Sequence, residues 1–176
     1  MNAKGEMAEI PAPDGPMPAW VVRPQGEGPH PAVIVVKEAF GLNDHIRSVA
    51  ERIAREGYLT VAPDLYYRSA DRVAGYHELP KAIGLMSQLD DRKIVADVRA
   101  VMDWIEAQPG VRKGKVGITG FCMGGRISFL AACHLPVAAA APFYGGAAKP
   151  EDVPKIKLFE TWLSATGYIK ARRSPQ

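Results

Sequence analysis

The sequence predicts an α/β fold, a mostly parallel sheet with helices on both faces. Short β-branched runs alternate along the chain with segments whose apolar residues recur at helical spacing. Such alternation builds parallel sheets through right-handed crossovers. The stretch Lys115–Phe129, KVGITGFCMGGRISF, also joins an apolar alternating run to a helix-like segment through a glycine-rich turn. A strand, a tight turn and a helix in that order form the repeating unit of these sheets.

Taken in order, Met7–Pro11 and Pro18–Arg23 read as two short strands joined by the turn Pro13-Asp14-Gly15. Proline and glycine make residues 24–31 a loop. Val33–Val36 is a continuous β-branched run, as in a strand covered on both faces, and polarity then appears abruptly at Lys37-Glu38. Asn43 or Asp44 caps a helix running to about Glu56, with Ile46, Val49, Ile53 and Ala54 as its apolar stripe and Gly57 beyond its end. Leu59–Ala62 is the next strand, and Pro63–Tyr67 leaves its end toward the face where ligands bind in open α/β sheets. Residues 68–89 have weak periodicity and read as a covering loop with a short helix. A long helix from about Asp90 to Ala107 buries Ile94, Val98, Val101, Met102 and Ile105, and Pro109-Gly110 stops it. The strand before Cys122, its following helix and a buried strand at Val137–Tyr144 complete the pattern.

The turn at Cys122 carries the chemistry. Gly120, Gly124 and Gly125 allow a sharp bend, because a Cβ at those places would clash. Cys122 then stands at a helix N-terminus, where unpaired N–H groups and the helix dipole suit a nucleophilic sulfur and a developing oxyanion. Cys133 lies eleven residues on, about 16 Å away at helical rise, too far for a disulfide. It reads as a small core hydrophobe.

Composition narrows the partners. With 176 residues, 47% hydrophobic and 23% charged, the chain suits one globular domain with a sizeable core. The net charge of +3 is concentrated at the C-terminal end: residues 155–176 hold five Lys/Arg and one acid, so residues 1–154 carry −1. No run of like charges with interleaved aromatics points to nucleic acid. No apolar stretch is long enough to span a membrane and Met1–Glu9 lacks a signal-peptide core, so a cytoplasmic protein is expected. No metal-ligand cluster or phosphate loop calls for a cofactor.

Five segments together point to a family. They are Gly-Phe-Cys-Met-Gly-Gly at 120–125, Val-Lys-Glu-Ala-Phe-Gly-Leu-Asn at 36–43, Glu-Gly-Tyr at 56–58, Ala-Pro-Asp-Leu-Tyr at 62–66 and Phe-Tyr-Gly-Gly at 143–146. In this order they resemble the dienelactone hydrolase family, the cysteine branch of the α/β-hydrolases, over about residues 5–157. The resemblance implies a hydrolase of lactones or carboxylic esters, with a small-molecule substrate, no cofactor and a monomeric or weakly oligomeric state. It implies Cys122 as nucleophile and Glu38 as the carboxylate beside the resting thiol. It also implies an oxyanion hole from the backbone N–H groups of Met123 and Ala39. Phe40 and Tyr144 become substrate-pocket candidates, and Arg68 or Arg72 a substrate-binding arginine.

Past Lys157 the resemblance stops. The family's order is nucleophile, acid, histidine, yet no aspartate follows Asp152 and no histidine follows His134. The expectation is therefore a family domain over residues 1–157 lacking the last strands and helices, with an atypical basic tail over 158–176. Two functional readings stand. One is a cysteine hydrolase; the other is a catalytically impaired fragment or pseudoenzyme that keeps the pocket without the triad Asp and His. His45 reads as a solvated helix-start residue, His134 as too distant from Cys122, and His77 as a candidate substitute base in the covering segment.

Overall fold

Among the described residues, six strands, β1 (Gly5–Ala12), β2 (Gly15–Val22), β3 (His30–Val36), β4 (Leu59–Pro63), β5 (Val111–Phe121) and β6 (Ala139–Phe143), form one sheet in the order β1-β2-β4-β3-β5-β6. The computed structural model describes residues 5–146 and 150–156. The expected boundary at 157 and the tail 158–176 lie outside them. β1 and β2 make an antiparallel hairpin, in which Gly15, at φ 124°, leaves the turn in a conformation glycine adopts without strain. β2 runs antiparallel to β4, while β4, β3, β5 and β6 are mutually parallel.

Among the described residues, four helices cover the sheet: α1 (Asp44–Arg55), α2 (Leu79–Ser87), α3 (Asp91–Glu106) and α4 (Met123–His134). Alternation along β3 shows how they divide. Ile34 and Val36 enter the larger core with Ile94, Val98 and Ile105 of α3 and Ile127 of α4. Val35 points the other way, into a smaller core with Ile46, Val49, Ala50 and Ala54 of α1. Asn43 caps α1 by accepting from the Ile46 N–H at 3.1 Å, and Asp90 caps α3 by accepting from the Arg92 and Lys93 N–H groups. A 3-10 helix at Pro150–Lys155 follows β6.

Two expectations need correction. The 24–31 loop is shorter than read, since His30 and Pro31 already belong to β3. The strand over Val137–Tyr144, buried by its composition but an uncovered apolar edge if the family's last strands are missing, spans Ala139–Phe143 and is mostly exposed, although Val137 just before it is buried. The reason is its place in the sheet. β6 pairs with β5 on one side and with no other strand among the described residues.

A part-buried ion pair fastens the hairpin to the helical layer. Asp97, in the middle of α3 and fully buried, accepts from Arg68 Nη1 at 2.6 Å, Arg68 Nη2 at 2.8 Å and Tyr67 Oη at 3.0 Å. Arg68 Nε also donates to Asp14 in the hairpin turn at 2.6 Å, and Lys93 Nζ reaches the same carboxylate at 3.1 Å. Arg68 was a candidate substrate ligand; its guanidinium is instead held by two carboxylates, one of them buried. Burial, reinforced by the Asp97 charge, pushes the Tyr67 hydroxyl up to about 12, so it stays a neutral donor.

Candidate active site

The site is built at the C-terminal ends of β3, β5 and β6. β5 ends at Phe121 and α4 begins at Met123, leaving Cys122 between them at φ 53°, ψ −117°. A non-glycine residue at positive φ stores about 1–3 kcal/mol and persists only where its surroundings over-determine it. Here three close approaches do so. A Cβ on Gly120 would lie 2.5 Å from the Gly124 carbonyl carbon, and one on Gly124 2.4 Å from the Val36 oxygen. One on Gly125 would lie 2.2 Å from the Phe143 oxygen. The start of α4 therefore sinks between β3 and β6. The Cys122 N–H also donates to the Phe143 carbonyl at 3.1 Å. The bend leaves Cys122 exposed at the first turn of a twelve-residue helix, whose free N–H groups point toward it.

Glu38, half-buried, follows β3 directly. Partial desolvation, together with the charges of Glu38 and Cys122, raises the Tyr144 hydroxyl, which brings these three residues to one mouth. Aromatic rings line it: Phe121 stacks on Phe143 at 5.1 Å between centroids and meets Tyr144 at 6.1 Å. Phe40 contacts Tyr76 of the covering segment at 4.6 Å. That segment docks on the Ala39–Gly41 loop through the Ala74 N–H, which donates to the Phe40 carbonyl at 3.0 Å. Gly41, at φ 94°, lets the Arg72 carbonyl come within 2.2 Å of where a Cβ would be. Arg72 itself stays partly exposed and pairs with Asp64 at 3.6 Å.

Beneath the mouth lies a group the sequence reading missed. Tyr66 Oη donates to the Ala39 carbonyl at 3.0 Å and lies 3.4 Å from Met123 Sδ, so one phenol touches both residues of the expected oxyanion hole. Its ring rests on Lys37, whose Nζ is 2.7 Å from the ring centroid. Lys37 is fully buried, and its amine has no hydrogen-bond partner among the described residues. Burial drives Lys37 well below the ordinary lysine range, opposed by nearby Asp64, while burial raises Asp64. Burial thus disfavours the charged form of each, and their mutual attraction only partly opposes it. Burial, followed by the charges of Asp64 and Cys122, likewise raises Tyr66, which remains a neutral donor. The available signal was a lysine placed directly after a continuous buried strand.

Replacing Lys37 by Met is expected to stabilise the fold by roughly 1–3 kcal/mol at neutral pH, because the volume is kept and an unsatisfied buried donor is removed. Unfolded Lys37 holds its proton up to the ordinary 10.5, whereas folded Lys37 gives it up well below. Parent stability should therefore climb with pH inside that window, and the variant should lack this component. Urea titrations at several pH values measure both. A less stable variant with an unchanged slope would show that the amine is satisfied.

All four histidines of the chain are described, and none is hydrogen-bonded to Cys122. His45 and His134 are exposed in α1 and at the end of α4, and His30 Nε2 lies 3.3 Å from the Gly26 carbonyl. His77 is exposed in the turn before α2, beside Gly75. Among the described residues, no group of three or more His, Cys, Asp or Glu is placed to hold a metal, and no helix is long and apolar enough to cross a membrane.

Comparison with known proteins agrees with this architecture. Residues 17–166 match the profile of the dienelactone hydrolase family. A protein of Escherichia coli K12, provisionally named carboxymethylenebutenolidase, is 42% identical over 139 residues, covering 77% of this chain and 51% of its own. The chain thus spans about half the length of the curated relatives it matches. The crystal structure of a provisionally assigned dienelactone hydrolase from Klebsiella pneumoniae superposes with a TM-score of 0.76 at 40% identity, covering 83% of this chain and 61% of that one. A dienelactone hydrolase-like promiscuous phosphotriesterase from metagenomic libraries gives 0.74 at 28% identity, over 89% and 66%.

Proposed function

Because the chain belongs to the dienelactone hydrolase family, we propose that it attacks a lactone or carboxylic ester through Cys122. The observation that carries this reading is the exposed cysteine held at φ 53° on a glycine-built turn at the start of α4. Glu38 takes the thiol proton as Sγ bonds to the carbonyl carbon. The carbonyl electrons move to oxygen, where the Ala39 and Met123 N–H groups hold the oxyanion. Collapse expels the alkoxide, which stays tethered when the substrate is a lactone, and leaves a thioester on Cys122. Phe40 and Tyr144 enclose the acyl group. Both cysteines are free, as this chemistry and a reducing cytoplasm require.

Hydrolysis of the thioester needs a base, and the placement of the histidines favours a second reading. In it the chain is acylated but turns over poorly. With p-nitrophenyl acetate, at most one equivalent of nitrophenol should appear in a burst. A steady rate about 10⁴-fold below that of a complete triad should follow. Cys122→Ala should abolish the burst. A burst that survives in Cys122→Ala would refute the nucleophile assignment, and steady turnover lost in His77→Ala would refute the impaired reading.

A further inference from the structure

We infer that Tyr66 is a positioning residue that holds the two donors of the oxyanion hole in register. This deepens the acylation reading above and rests on it. The two proposed donors come from parts of the chain far apart in sequence, the loop after β3 and the first residue of α4. A hole works only when both N–H groups converge on the same point, and a misplacement near 1 Å can cost about 10²-fold. Tyr66 Oη bridges the two segments: it donates to the Ala39 carbonyl at 3.0 Å and packs 3.4 Å from Met123 Sδ. Anchoring the Ala39 carbonyl holds the Ala39–Phe40 peptide plane, and with it the position of Ala39 in the loop beside α4.

The phenol is itself well seated. Its backbone N–H donates to Asp64 Oδ1 at 3.1 Å, which sets the turn leaving β4. Its ring is supported by the buried Lys37 amine and the residue is only 1% exposed, so the hydroxyl is held against the Ala39 loop and Met123. A tyrosine kept only for packing would need no hydroxyl aimed at the loop. The hydroxyl is directed at the Ala39 loop and not hydrogen-bonded to the Cys122 sulfur.

That separation gives the test. Acylation by p-nitrophenyl acetate builds an oxyanion, whereas alkylation by iodoacetamide displaces iodide at a saturated carbon and builds none. In the full chain, Tyr66→Phe should slow Cys122 acylation by roughly 10- to 100-fold and leave Cys122 alkylation, followed by peptide mapping, unchanged. Replacement of Tyr66 by 4-aminophenylalanine, which keeps a donor at the same place, should restore acylation. Equal acylation rates in parent and Tyr66→Phe would overturn the inference alone, as would acylation and alkylation falling together. Loss without rescue by the amino analogue would overturn it too. A parent chain that alkylates at Cys122 but is never acylated would overturn the hole itself, and with it the function proposed above.

Discussion

Gly124→Ala is expected to destabilise the chain by about 3 kcal/mol or more and to remove Cys122 acylation. The new methyl would stand 2.4 Å from the Val36 oxygen and 2.7 Å from the Lys37 oxygen. Both are backbone atoms at the end of a central strand, so no side chain can swing aside. Relief requires lifting the start of α4 off β3, which also unwinds the Cys122 bend and separates the proposed donors. Gly84→Ala provides the contrast. That position lies in α2 with nothing within 4 Å, and alanine there should stabilise by about 0.5–1 kcal/mol through helix propensity and unfolded-chain entropy. Thermal unfolding with ester bursts measures both. A Gly124→Ala chain with parental stability and a full burst would mean that α4 does not sit this close to β3.

The second large effect lies away from the site. Arg68→Met should cost about 3–5 kcal/mol, because it strands a buried carboxylate. Asp97 would keep only the Tyr67 hydroxyl, at 3.0 Å, in the middle of α3. Arg68→Met with Asp97→Leu should recover much of the loss, since a well-packed apolar pair often equals or exceeds a buried ion pair. Urea unfolding of the two singles and the double gives the coupling directly. An Arg68→Met chain within 1 kcal/mol of the parent would place Arg68 back among the free arginines of the mouth, with a role in substrate affinity.

What the sequence disclosed follows from how far each feature reaches along the chain. Hairpin, strands and helices come from local periodicity and caps: Asn43 and Asp90 cap the helices they were expected to begin. The Cys122 turn was legible because its glycines lie within five residues of each other. Asp97 was not, since one acid on a helix looks solvated unless its partner is known, and Arg68 is 29 residues away. Lys37 and Tyr66 escaped for the same reason, as a lysine at a strand end normally reaches water. Arg68 stands in the sequence as no more than a candidate, because a free guanidinium and one paired with two carboxylates look identical there. The exposure of β6 depends on which strands flank it, and it is legible only from where the family resemblance stops, not from the strand's own apolar residues.

The bend at Cys122 is made by chain segments that meet late. Ala32 of β3 pairs with Val116 of β5 nearly half the chain away, and the Gly124 contact with Val36 depends on that pairing. Closing so long a loop has an entropy cost that only the assembled sheet offsets. The hairpin of β1 and β2, by contrast, needs only neighbours in sequence. Folding through such distant contacts is slow compared with helix and hairpin formation. A peptide carrying residues 115–129 alone would have the whole glycine pattern, yet nothing to hold its cysteine at positive φ. The bent conformation of Cys122 belongs to the assembled topology, and it arises only once both distant strands are in place.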